Sequence, residues 1–157
     1  MKDAKAMRGF SLMELLIVVA VILVISAIAI PNLMRSKRLA NEASAVNSLK
    51  VINTGIVNYS SSWGVGFPLL LSYLGPGAPT SSKAAGIIDS VLAAGTKSGY
   101  IFTYVSGAPS SGQVRTYTIS ASPTIPQLGG RYFFSDQTAV IRQSSSGAAT
   151  ASSAQIQ

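Results

Sequence analysis

The chain has 157 residues, 48% of them hydrophobic and only 11% charged, with a formal net charge of +7 and neither cysteine nor histidine. Soluble domains average roughly 25% charged residues, so an apolar surface of this chain must be hidden in a membrane or an assembly. Disulfides, zinc or haem ligation through Cys or His, and a Ser-His-acid triad are excluded.

The length suits one domain. The charge is spread thinly, +2 over residues 1–9, +2 over 10–62 and +3 over 63–157. No stretch reaches the five or six like charges of a nucleic-acid tail. The chain opens on a short polar head, Met1 to Gly9, with Lys2, Lys5 and Arg8. Leu12 to Ile30 follows, nineteen residues in which only Glu14 and Ser26 are not apolar. As a helix it spans about 28 Å, close to the ~30 Å hydrocarbon core of a bilayer. Nine of these residues are Val or Ile, poor helix formers in water. Lipid enforces a helix on them, because every backbone polar group must find its partner internally.

After Pro31 the apolar residues Leu39, Val46, Leu49, Ile52, Ile56, Tyr59 and Trp63 recur at helical steps and define one stripe. Glu42 falls on the line between Leu39 and Val46, so the stripe is continuous only from Val46. One helix is expected from about Ser11 to Ser61, apolar all round in front and amphipathic behind. Pro31 removes a donor and crowds the carbonyl of Ala27, so a bend or loosening is expected there.

From Trp63 the texture changes. Gly64, Gly66, Pro68, Gly75, Pro76, Gly77 and Pro79 mark a loop region. The sequence predicts a short helix near Ile87–Ala94, with Asp89 at its start and Gly95 at its end. Strands are predicted at Tyr100–Val105, Arg115–Ala121, Arg131–Phe134 and Thr138–Arg142, the last two forming a hairpin around Ser135-Asp136-Gln137. Four strands with short connections imply an antiparallel meander covering the helical stripe. Tyr59, Trp63 and Phe67 read as core. The Ser, Ala, Gly and Thr of residues 144–157 read as a disordered tail. The fold class is therefore α+β, a long N-terminal helix packed on a small antiparallel sheet.

Three readings compete for the N-terminus. A secretory signal peptide would use Ala27-Ile28-Ala29 as its cleavage site, but leaves Ile30-Pro31 at the new N-terminus and the long helix headless. A plain transmembrane anchor gives no reason for Glu14, which costs about 2.5–3.5 kcal/mol at a bilayer centre. The third rests on Gly9-Phe10-Ser11-Leu12-Met13-Glu14-Leu15-Leu16-Ile17, which resembles the processing signature of type IV pilins and type II secretion pseudopilins. The acid four places after Phe10, the uninterrupted apolar helix and Pro31 match that family too.

The resemblance implies cleavage by a prepilin peptidase between Gly9 and Phe10, N-methylation of Phe10, and roles for Glu14 and Pro31 in assembly. It implies a leader over 1–9, a membrane and filament-core helix over 10–31, and a pilin-like globular domain over 32–143. The partners implied are the peptidase, other copies or pilins in a filament, an inner-membrane assembly platform and the inner membrane itself. The globular domain would lie outside the cytoplasm, then in a periplasmic or cell-surface filament. The cations themselves do not orient the span, with three before it and three after (Arg35, Lys37, Arg38). Within a filament Glu14 would need a partner, and the ammonium of a neighbouring Phe10 is the available one; breaking such a buried pair costs about 3–5 kcal/mol. The family's C-terminal cysteine pair and acidic calcium loop are both missing, which leaves surface pilus, secretion pseudopilus and competence filament open.

Beyond Gly9 the acids are Glu14, Glu42, Asp89 and Asp136. They read in turn as apolar-segment, helix-face, helix-start and turn residues. Neither G-x-S-x-G nor S-x-x-K occurs, and no glycine run follows a strand as a phosphate loop would. No catalytic residue, metal or cofactor is expected, and the protein is not an enzyme. Arg35-Ser-Lys-Arg38, with Tyr and Phe side chains able to stack on bases, would suit a nucleic-acid binder or a DNA-binding minor pilin. A juxtamembrane basic cluster beside core aromatics is the favoured reading of the same residues.

Overall fold

The computed structural model describes residues 10–78, 80–126 and 130–156. The leader Met1–Gly9, with its half of the expected cleavage junction, lies outside the described residues, as does Pro79. The chain divides into two compact units, Met1–Lys37 and Arg38–Gln157. Helix α1, Leu12–Trp63, supplies the described helix of the first and begins the second.

In the first unit α1 carries the apolar run, with every large side chain from Leu12 to Met34 exposed. The helical assignment passes unbroken through Pro31. Asn32 Nδ2 donates to the Ile28 carbonyl at 3.0 Å.

In the second unit α1 buries Ala45, Leu49, Ile52, Ile56 and Tyr59. Their alternating spacing of four and three puts them on one face. Glu42 is buried on the same face, so the stripe continues through it. Gly55 lies there because a Cβ would meet the side chains of Ile88 and Ile87 at 3.2 and 3.3 Å. A 3-10 turn, Leu71–Leu74, and a one-turn helix α2, Ser90–Ala93, close over this end of the core. Asp89 caps α2 by accepting from the Leu92 N–H at 2.8 Å.

The sheet has six strands among the described residues: β1 Thr96–Lys97, β2 Tyr100–Ser106, β3 Tyr117–Pro123, β4 Tyr132–Asp136, β5 Arg142–Ser144 and β6 Ala154–Gln155. They pair antiparallel in chain order. Phe102, Ala121 and Phe133 form one inward row, and Tyr104, Ile119 and Ser135 the next. A polar link joins sheet to helix inside the core. Asn53 Nδ2 donates to Ser135 Oγ at 2.9 Å, and the Tyr117 hydroxyl donates to Asn53 Oδ1 at 3.1 Å. With all three residues buried, this link fixes which face of α1 meets which strand.

The α+β expectation holds, with four corrections. The tail is ordered: Ile156 N–H donates to the Ile141 carbonyl at 3.0 Å, Arg142 Nη1 to the Ser153 carbonyl at 3.0 Å, and Ala149 is buried. Small residues pack into tight turns there without the bulk that marks a core in sequence. The last hairpin pairs Tyr132–Asp136 with Arg142–Ser144 rather than with Thr138–Arg142. Asp136 instead opens a wider turn, accepting from Thr138 N–H at 2.9 Å, with Ala139 at φ 59°. The strand expected from Arg115 begins at Tyr117. Trp63 is 37% exposed rather than core, and Leu39 at the other end of the stripe is 50% exposed.

Candidate functional site

The start of α1 is where sequence placed the chemistry. Ser11 precedes the helix as its N-cap, and the Leu15 N–H donates to its carbonyl at 3.2 Å. Glu14 sits three residues into the cap and turns back, its Oε2 accepting from the Ser11 N–H at 2.9 Å. That is half of a capping box, in which the acid at the third helical position satisfies an amide that the helix leaves orphaned. An acid here also meets the positive end of the helix dipole. The Ser11-x-x-Glu14 spacing could have revealed this cap from sequence.

Phe10, just outside the helix, is 81% exposed. Phe10 and Glu14 thus share one helix end, while Pro31 lies about 25 Å further along by the helical rise. Gly9 lies outside the described residues. Behind the cap, α1 is long and apolar enough to cross a membrane, and its most apolar window has none of its residues buried. So long a run of exposed aliphatic side chains needs lipid or other helices as its surroundings.

The described residues of the second unit include a buried ion pair. Glu42 is 5% exposed; its Oε2 accepts from Arg131 Nε at 2.8 Å and its Oε1 from the Arg131 N–H at 3.2 Å. Arg131 also donates through Nη1 to Gln143. On the surface, Lys97 Nζ lies 2.9 Å from Asp89 Oδ2. Hydrogen bonds from the Lys97 side chain and the Leu92 amide hold the Asp89 carboxyl below its usual range. Burial pushes the hydroxyls of Tyr100 and Tyr117 up to about 12 and raises those of Tyr104 and Tyr59. These are signs of a packed core. Among the described residues no group of three or more His, Cys, Asp or Glu could hold a metal ion.

Sequence comparison decides what the N-terminal cap and apolar run belong to. Residues 4–30 match the prokaryotic N-terminal methylation motif. The chain carries a prepilin-type N-terminus. Over 54 residues it is 41% identical to the type IV major pilin protein PilA of Myxococcus xanthus (strain DK1622), a stretch covering 34% of this chain and 24% of that protein. The match thus spans about a quarter of the relative's length. No solved structure matches. The prepilin-type motif and this distant homology to a type IV pilin bear out the family resemblance read from the N-terminus.

Proposed function

We propose that the protein is a filament subunit of the type IV pilus or type II secretion pseudopilus kind. In this reading a prepilin peptidase cuts between Gly9 and Phe10 and the new amine is methylated. The chain waits in the inner membrane, its globular domain outside the cytoplasm, until the assembly platform draws it into a filament. The observation that supports this most is the pairing of an exposed apolar helix with one acid at its capped start. Lipid solvates the helix before assembly, and neighbouring helices take its place afterwards. Glu14 then exchanges its amide partner for the ammonium of a neighbour's Phe10, which a bare anchor could not offer.

Two measurements test the reading. The native protein should have an intact mass lacking Met1–Gly9 and an N-terminus at methylated Phe10. Glu14→Ala should reach the membrane at the wild-type level or above, since an unfavourable group has been removed. It should enter filaments poorly, and Glu14→Gln, which keeps the shape without the charge, should share the defect. A native chain starting at Met1 or Ile30 would refute the processing, and normal filaments from both variants would refute the ionic role of Glu14.

A further inference from the structure

The last two strands carry a polar hollow beside the buried ion pair. Register aligns Phe133, a core residue, with Gln143, and Gln143 in turn with Ala154, so the three share one face of the sheet. A cavity of about 370 Å³ opens there, lined by Arg131, Gln143, Ser144, Ser145, Ser146 and Ser153, with Ala154 at its edge. That volume lies near the small end of the range for ligand pockets, roughly 300–1,000 Å³. Arg131 is the one charged residue in the lining.

Its acceptors are taken up by the chain itself. Gln143 Oε1 accepts from Arg131 Nη1 at 2.6 Å. An arginine can only donate, so the oxygen of Gln143 faces it and both amide hydrogens are left over. Ser153 Oγ accepts from the Thr150 N–H at 3.0 Å, and the Ser153 carbonyl from Arg142 Nη1 at 3.0 Å. Behind the cavity Glu42 spends its two oxygens on the backbone N–H and Nε of Arg131. Among the described residues these bonds leave the remaining Nη hydrogens of Arg131, the Gln143 amide hydrogens and the Ser153 O–H. The cavity is therefore rich in donors and poor in free acceptors. A sugar or a peptide brings donors that would go unmet here, whereas an oxyanion brings acceptors alone.

We infer that this cavity binds the phosphate group of a small phosphate monoester. The donors come from three places in the chain: ahead of β4, within β5 and just before β6. A phosphate offers three acceptor oxygens and about −1.5 to −2 charges at neutral pH, which suits a convergent set better than a flat carboxylate does. Hydrogen bonds from a guanidinium to such a group are also among the strong ones. The second unit has seven cations and three acids, so its net charge of +4 favours the approach of an anion. This inference goes beyond the filament reading and does not depend on it.

The test uses the full chain in an uncharged maltoside detergent, titrated with glycerol 3-phosphate. Binding should saturate, and in a nitrogen-15 spectrum the Gln143 side-chain amide and the Arg131 Nε–H should move with it. Acetate should bind at least tenfold more weakly, and glycerol should not bind. Gln143→Glu keeps an acceptor for Arg131, so circular dichroism should show an intact fold, but it replaces two donors by a carboxylate. Affinity should fall at least tenfold. Lys50→Gln removes one positive charge at an exposed position of α1, the same change in net charge, and should leave affinity within twofold of wild type. A short-chain phosphatidylglycerol, dispersed as monomers, separates the two sources of a phosphoryl group. Saturation by glycerol 3-phosphate alone supports a free monoester; tighter binding of the lipid would overturn the monoester in favour of a membrane headgroup. Absence of saturation, an equal loss in Lys50→Gln, wild-type affinity in Gln143→Glu, or acetate binding as tightly as glycerol 3-phosphate would each overturn the site.

Discussion

Removing one side of the Glu42–Arg131 pair should cost far more than removing the other. The carboxylate is almost wholly enclosed, at 6% side-chain exposure, whereas the guanidinium side chain is 45% exposed. Arg131→Ala strands a buried anion with only the backbone N–H of residue 131 to hold it, the case that costs about 3–5 kcal/mol. Glu42→Ala strands nothing comparable, because water can reach the guanidinium and Gln143 still binds it at 2.6 Å. Its cost should be about 1–2 kcal/mol, chiefly the lost hydrogen bonds and some packing. For a domain of this size the larger figure lowers Tm by on the order of 10–20 °C and the smaller by about 3–8 °C. Residues 34–157, freed of the apolar segment, should give a soluble protein on which both variants can be compared by urea and thermal unfolding. Glu42→Ala as destabilising as Arg131→Ala, or more so, would refute the reasoning, since the anion's burial would then not set the scale.

Two further outcomes are expected of the same protein. The hydroxyls of Tyr100 and Tyr117 are raised to about 12 by burial, so the folded chain keeps protons that the unfolded chain releases near the ordinary value of 10.0. Stability is therefore full below pH 10 and declines toward pH 12; phenolate absorbance should rise together with unfolding, and a gradual rise in a folded protein would contradict the burial. Removing residues 147–157 should lower stability by roughly 2–4 kcal/mol, because it takes away β6, Ala149 and the Ile156 contact with the core. An unchanged urea midpoint would mean the tail adds nothing.

What could be read in the sequence followed from periodicity. Leu49, Ile52, Ile56 and Tyr59 named the buried face of α1 because helical steps are regular over many turns. Alternation in the strand expected at Arg115–Ala121 marked Tyr117, Ile119 and Ala121 as the inward side chains for the same reason. The misreadings share a different cause: they depended on partners distant in sequence. Ser135 and Asn53 look like surface residues until the sheet brings them together across 82 positions. The Ser- and Ala-rich tail looked structureless because β6 is defined by pairing with β5 and not by its own two residues. Trp63, the last member of the stripe, is outward because the helix ends there and the core does not extend past Tyr59 on that face.

The two helix acids show how one pattern break can mean opposite things. Glu42 interrupts an apolar stripe and proves to be a satisfied core group, with its partner Arg131 just ahead of β4. Glu14 interrupts an apolar run and, among the described residues, bonds the Ser11 amide at the exposed end of its helix. A capping bond of that kind contributes about 1 kcal/mol. An ammonium at about 4 Å in a partly shielded site contributes about 4 kcal/mol by Coulomb's law. If the filament reading holds, the cap is thus a resting place that an arriving amine displaces, and the helix start need not refold when it does. In that reading the cap keeps the carboxylate oriented while the chain waits, so that processing at Gly9 and docking of Glu14 would follow each other without a conformational search.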